Sequence, residues 1–342
     1  MYEINPILDE RWTRFLDTHL DSSIFHSAEW FKVLRDSYGY QPLAFVDAPP
    51  GREIHSGHPF CVVDSWLTGK RLVSVPFSDH TAMLTNEDAS ESLIEALSLR
   101  VQQREFQYLE IRPVGEAGSI TDRLGKTAEF YHHKISLSEG LSSIYGRLHK
   151  DCVRRKIRRA EREQLGYAEG RDELVVKQFY DLLLLTHDRH RSPSQPISWF
   201  KHMASSLGEA VKFRIALKDE RPIAGLVTLC HKNTMTFKYG CSDAHYHRMG
   251  AVAFLMWKSI QDAAEAGMTE FDMGRSDPRQ QGLITFKEHW GAERSKLSYW
   301  RYPSNSATGL RAREHRWIQS VMSVAPKVAR RTAGRLLYRH MG

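Results

Sequence analysis

The strongest constraint on the fold is an order of elements that occurs twice. In the first half, two helical stretches, Pro6 to about Leu20 and Ser27 to Tyr38, precede three strand-like runs, "PLAFVD", "HPFCVVDSW" and "RLVSVPFS". A helix over Asp88 to Val101 and the strand "YLEIRP" follow. In the second half, helices over Asp172 to Thr186 and Ser198 to Leu207 precede "KFRIALKD", "PIAGLVTLC" and "TMTFKYG", then a long helix opening at Gly250 and the strand "EFDMG". Residues at the strand ends repeat as well. "VPFSDH" (Val75 to His80) and "YGCSDAH" (Tyr239 to His245) each put Ser-Asp and then His just beyond a strand, and Glu110/Arg112 matches Asp272/Arg275 further on. The pattern predicts an internal duplication: an α/β chain of two like domains, each a mixed sheet flanked by helices. Expected boundaries are 1–145, 146–303 and a basic helical tail over 304–342.

No apolar run approaches the length of a bilayer span, and "MYEINPILDERW" is too acidic and polar for a secretion signal, so a cytoplasmic location is expected. Cys61, Cys152, Cys230 and Cys241 are scattered without CxxC pairs, which predicts reduced thiols rather than a disulfide framework. The charge is unevenly placed. Residues 308–342 hold eight Lys/Arg and one acid, Glu314; removing them from the 48 basic and 41 acidic residues of the whole chain leaves 40 of each. The body is formally neutral and the net +7 belongs to the tail.

Two helices, three antiparallel strands, a helix and a further strand is the order of the GNAT acyltransferase fold. The stretches "IFHSAEWFKVLRDSYGYQP", "LVSVPFSDH", "LHKDCVRRKIRRAEREQLGY" and "FDMGRSDPRQQGLITFKEHWGAE" resemble the FemABX-type peptidyltransferases and related GNAT-like proteins of bacterial cell-envelope and exopolysaccharide loci, over about Ser22 to Tyr302. The resemblance implies a tandem GNAT-like fold and amide formation on an envelope or polysaccharide precursor, with aminoacyl-tRNA as donor. It also implies that Lys287, in "GLITFKEHWGAE" with Trp290, lies near the reacting centre or the substrate phosphates.

Acyl transfer to an amine needs oxyanion stabilisation and a proton route, with no metal and no bound cofactor. Lys287, Asp243 and His245 are the catalytic candidates. Tyr239, Arg275, Asp79, His80, Glu110 and Arg112, in or just beyond strands where a GNAT cleft opens, and Trp290, on the helix that carries Lys287, are candidates for binding the acceptor. An acyl-CoA enzyme carries [Q/R]-x-x-G-x-[G/A] at the turn before its long helix. Here "CSDAHYHRMGAVAF" has His247 and Val252 at the outer positions around Gly250. The turn still offers unpaired backbone N–H groups to an anion, so Gly250 and Arg248 are phosphate-binding candidates, and acyl-CoA remains the alternative donor. A non-catalytic protein that binds a glycan or lipid intermediate is the reading from another class.

"HKDCVRRKIRRAERE" places Val153, Ile157 and Ala160 on one helical face and basic residues around the rest; Arg154, Arg155 and Arg158 are further phosphate candidates. His187 and His190 are three apart without a third ligand at zinc spacing, which predicts no metal. In the tail, Trp317, Ile318, Val321, Leu336, Leu337 and Tyr338 alternate with arginines, a pattern that suits either the inner face of an anionic membrane or docking on the body.

Overall fold

The structure, a computed structural model, describes residues 1–115, 123–304 and 337–340. Among these, unit 1 comprises 1–130, 296–304 and 337–340, and unit 2 comprises 131–295.

Unit 1 opens with the edge strand β1 (Tyr2–Ile4), followed by α1 (Glu10–Thr18) and α2 (Ala28–Tyr38). Asp9 starts α1 by accepting from Arg11 N, four residues later than the sequence pattern placed it. Ser27 caps α2 as expected, accepting from Trp30 N, and Trp30, Phe31 and Leu34 are buried on its inner face. The strands β2 (Gln41–Val46), β3 (Gly57–Val63) and β4 (Arg71–Val73) are antiparallel neighbours. The helix α3 (Glu87–Gln102) then crosses to β5 (Leu109–Ile111), which pairs parallel with β4 through Leu72 to Leu109 and Val73 to Glu110. Two strands absent from the sequence reading, β6 (Gly125–Ser136) and β12 (Glu293–Tyr302), carry the chain from one unit to the other. The charged, half-buried sequence of β6 hides its alternation.

Unit 2 adds α4 (Leu141–Arg147), α5 (Arg155–Arg162), β7 (Gly166–Gly170), α6 (Glu173–His190), α7 (Ile197–Leu207), β8 (Val211–Lys218), β9 (Arg221–His231), β10 (Thr234–Ser242), α8 (Ala251–Glu265), β11 (Glu270–Ser276) and α9 (Gln281–Glu288). Its strands run in the order β6-β11-β10-β9-β8-β7, all antiparallel except β10 with β11. The expected duplication is therefore present as topology: β2-β3-β4-α3-β5 in one unit and β8-β9-β10-α8-β11 in the other, each ending in one parallel pair. The core of unit 2 gathers Leu255, Met256, Ile260 and Ala263 of α8 with Phe271, Met273 and Ile135 of the sheet and Val153 and Ile157 of the basic segment. Each such side chain, fully buried, contributes about 1.5–3 kcal/mol relative to exposure. The apolar face read from "HKDCVRRKIRRAERE" is thus real, but the segment is not one regular helix. A π-turn over Lys150–Arg154 precedes α5, with the His149 ring accepting from the Asp151 and Cys152 amides.

His58, on β3, is wholly buried, and burial together with the neighbouring His26 pushes its pKa down from 6.5 to about 3. The unfolded chain therefore binds a proton at this residue that the folded chain refuses. Stability is fully present above pH 6.5 and falls as pH drops towards 3. Thermal unfolding measured across that range is expected to show a shallower loss in His58→Phe than in the parent.

Candidate active site

Parallel pairing between β10 and β11 lasts for three residue pairs, Thr234 to Thr236 against Glu270 to Asp272. At that level both strands shift register: β10 between Phe237 and Tyr239 against β9, and β11 between Asp272 and Arg275 against β6. A bulge bends a strand and ends its pairing, so the sheet is parted where β10 runs on to Ser242. The β11 bulge is held from two sides. Asp272 Oδ1 accepts from Gly274 N at 2.7 Å and lies 2.8 Å from His132 Nε2, while Lys287 Nζ donates to Gly274 O and Arg275 O, both at 2.8 Å. Gly274 takes φ +70°, a conformation that L side chains rarely adopt.

At the end of β10 the chain makes the turn Ala244–Met249 and enters α8 through Gly250, whose φ is +78°. A Cβ at Gly250 would lie 2.2 Å from Lys156 O, so glycine is needed both for the left-handed conformation and for the close approach of α5. The first turn of α8 has no side-chain cap. Ala251, Val252 and Ala253 instead line a cleft of about 620 Å³, whose other walls include Lys156, Arg189, Asp243, His247, Gln281, Thr285 and Trp290. Uncapped N–H groups and two cationic side chains make this a place for an anion.

Of the sequence candidates, Asp243, Gly250 and Trp290 line the cleft. Asp243 caps the turn, accepting from His245 N at 3.0 Å and lying 2.8 Å from His245 Nδ1. Burial opposes its negative charge, but the His245 contacts and the nearby Arg221 outweigh that and hold its carboxyl below the usual range. It is therefore an ionised anchor for the turn and a poor proton acceptor at neutral pH. His245 itself is exposed, as are Arg155, Arg158 and Arg248, and Arg154 is half-buried; none of these lines the cleft. Tyr239 lies elsewhere in unit 2, donating to Gln195 Oε1 at 2.6 Å and accepting from Trp199 Nε1 at 2.9 Å.

Lys287 also stands outside the cleft lining. The resemblance implied a place near the reacting centre or the substrate phosphates; Lys287 is 2% exposed, with its ammonium on the two bulge carbonyls. Arg275 supplies one of those carbonyls and its side chain is half-buried. In unit 1 the equivalent strand end is closed. Glu110 is fully buried between Arg112, at 2.9 Å, and Arg301, at 2.7 Å, and Arg112 Nη1 donates to Val75 O and Ser78 O. Asp79 accepts from Tyr299 Oη at 2.6 Å through its backbone, and His80 is buried edge-on to Phe25. These four residues build unit 1 around that closed end.

Sequence reasoning missed Lys156, Arg189 and His247 as cleft residues. Arg189 donates to Ser242 O at 3.2 Å and stands 3.4 Å from His247 Nε2, which also lies 3.0 Å from Ser242 Oγ. Burial, then Arg189 and Lys156, push the His247 pKa below its ordinary value, leaving a neutral imidazole at the cleft wall. Lys156, within the basic segment, and His247, in the turn before Gly250, carried a usable signal; Arg189 sits 53 residues from Ser242, which it meets across the fold. His187 contacts Ser192 Oγ at 2.8 Å and joins no cluster of metal-ligating groups among the described residues.

Residues 149–288 match the profile of an acetyltransferase (GNAT) domain family. Among solved structures, FemX is 14% identical with a TM-score of 0.67, covering 93% of this chain and 100% of its own. The C-terminal domain of a putative lysylphosphatidylglycerol synthetase from Agrobacterium fabrum is 13% identical with a TM-score of 0.60, covering 92% and 96%. A tandem GNAT protein from the clavulanic acid biosynthesis pathway is 9% identical with a TM-score of 0.56, covering 87% and 96%. No curated protein matches the chain.

If Lys287 holds the bulge open, Lys287→Ala leaves two buried carbonyls without their donor. Each such loss costs about 1–3 kcal/mol, so urea denaturation should show a fall of roughly 2–6 kcal/mol. An unchanged midpoint would remove Lys287 from this structural role.

Residues 149–288 thus carry a GNAT acetyltransferase domain, and the fold of the chain as a whole is similar to that of FemX and of a tandem GNAT protein.

Proposed function

We propose that the chain transfers an aminoacyl or other acyl group from a phosphate-bearing donor to an amine of a cell-envelope or exopolysaccharide precursor, forming an amide. The observation that carries this reading is the cleft where the end of β10 leads into α8, with the first turn of α8, Lys156 and Arg189 in its walls. A donor phosphate would accept from the α8 amides while the two cations offset its charge. The acyl chain would then follow the gap between the strands, where backbone groups are available to bind it. Attack by the amine builds negative charge on the carbonyl oxygen, and a fixed donor there lowers the barrier. Lys287 contributes by keeping the bulge, and so the gap, in place.

Aminoacyl-tRNA is the first donor in this reading. Val252 and His247 stand where an acyl-CoA enzyme has a small residue and a Gln or Arg, and both line the cleft. Acyl-CoA is the second, favoured by the GNAT profile over 149–288. The amine is assigned to an envelope precursor because a structural neighbour is, by its name, a putative lysylphosphatidylglycerol synthetase, whose product is a membrane constituent. No described helix is long and apolar enough to cross a membrane. The basic tail is proposed to bring the enzyme to the inner face of the cytoplasmic membrane, and most of it, including Trp317, Ile318, Val321 and Leu336, lies outside the described residues. Its last turn, Tyr338–His340, docks on unit 1: Tyr40 Oη donates to Tyr338 O and Arg339 O at 3.0 and 3.1 Å, and Tyr338 packs against Phe77. Tyr338 therefore belongs to the body rather than to a lipid-facing surface.

Calorimetric titration with acyl-CoA, charged tRNA and uncharged tRNA tests the reading. Micromolar binding of one donor, worth about 8 kcal/mol, is expected, weakened roughly tenfold or more in Gly250→Ala and Lys156→Ala. Silence toward all three, or binding indifferent to both substitutions, would overturn it.

A further inference from the structure

Three metal-ligating side chains meet beside the cleft, two from one turn and the third from a distant place in the sequence. His149 and Cys152 flank the start of the π-turn before α5, and His289 follows the last residue of α9. Their ligand atoms all lie within 4.8 Å of one another. The His149 and His289 rings are 4.2 Å apart between centroids, and the two elements are tied by His149 N donating to His289 O at 2.9 Å. The side chains are thus held by the backbone of two elements that cannot drift apart without breaking that bond.

We propose that His149, Cys152 and His289 form a binding site for a thiophilic divalent ion of the zinc type. Two imidazoles and a thiolate are the ligand set that such ions select over magnesium or calcium, which take oxygen. Zinc bonds of about 2.0–2.3 Å to nitrogen and sulfur put tetrahedral ligands roughly 3.4–3.6 Å apart. Side-chain rotation closing the present separations by about 1 Å suffices. Neither the Cys152 thiol nor the His289 ring has a hydrogen bond to give up among the described residues. The His149 ring accepts from the Asp151 and Cys152 amides at 3.3 and 3.2 Å, so a lone pair already faces the turn that carries Cys152. Ligation exchanges those two long bonds for one to the metal. The positive charge of Lys156 nearby opposes a cation, and the thiolate formed on binding offsets it.

His149 is exposed and the other two are half-buried, which leaves a way in for the ion. Cys152 and His289 also line the cleft, so the fourth coordination position opens on it. Three protein ligands with one position free is the arrangement of metal sites that take an exogenous ligand, and an anionic group in the cleft would complete the shell. The site stands on its own geometry and does not depend on which acyl donor the cleft accepts.

Cobalt(II) replaces zinc and reports its ligands by absorption. Titration of the full chain with Co²⁺ is expected to give one equivalent of tetrahedral visible bands together with a thiolate-to-cobalt charge-transfer band in the near ultraviolet. The charge-transfer band should vanish in Cys152→Ser, and affinity should fall roughly tenfold or more in His289→Gln and His149→Gln. Circular dichroism checks that each variant is folded. A second measurement needs no variant: one equivalent of Zn²⁺ should slow alkylation of Cys152 by iodoacetamide in the parent chain, read by peptide mass. Absence of the charge-transfer band, its persistence in Cys152→Ser, or unchanged alkylation of Cys152 would overturn the site.

Discussion

The bulge in β11 depends on the ammonium of Lys287 and the two carbonyls that it holds. A parallel strand pair left alone continues its ladder, and continued pairing of β10 with β11 would leave no room between them. The bulge at Asp272 to Arg275 lies where that ladder ends, and Gly274 O and Arg275 O there accept from Lys287. Buried carbonyls must be paired. Lys287, itself buried, supplies the donors, and the Asp272 carboxylate, held against His132, receives the Gly274 amide. The bulge is therefore held by named partners on both sides, at Gly274 N, Gly274 O and Arg275 O.

The comparison of the two units shows what the parted strands add. Both units cross from a short parallel strand through a helix to its partner. In unit 1 an arginine at the strand end turns inward, pairs with Glu110 and ties down the preceding loop through Val75 O and Ser78 O. In unit 2 the corresponding turn is tied to its own first residue, Asp243, and Gly250 lets α5 come close to the start of α8. In both units the acid at the equivalent position, Glu110 or Asp272, is satisfied internally; in unit 2 the turn that follows β10 leads into a helix whose first turn has no side-chain cap.

Much of the fold was legible in the sequence. The repeated order of elements, the Ser27 cap of α2, the buried face of Val153, Ile157 and Ala160 and the entry to α8 at Gly250 follow from local periodicity and from turn chemistry. The strands β6 and β12 were not legible, since their half-buried, charged sequences gain an apolar environment only from neighbours distant in the chain. The site was partly legible. Asp243, Gly250 and Trp290 sit beside turns that local signals mark, whereas Arg189 enters the cleft from the end of α6 and His289 meets Cys152 across the fold. Spacing arguments for metal ligands look for neighbours in sequence, and a cluster joining residue 152 to residue 289 has no spacing to read.

The central claim is that a donor's anionic part rests on the first turn of α8 within the cleft of unit 2. Hydrogen–deuterium exchange of the intact chain, with and without a saturating acyl donor, tests it most directly, since it reads backbone amides one segment at a time. The account predicts slowed exchange in the segments holding Ser242 to Phe254 and Gln281 to Trp290, with the strand ends of unit 1 around Val75 to His80 unchanged. Protection confined to unit 1, with the amides of Ala251 to Ala253 exchanging at their free rate, would contradict it.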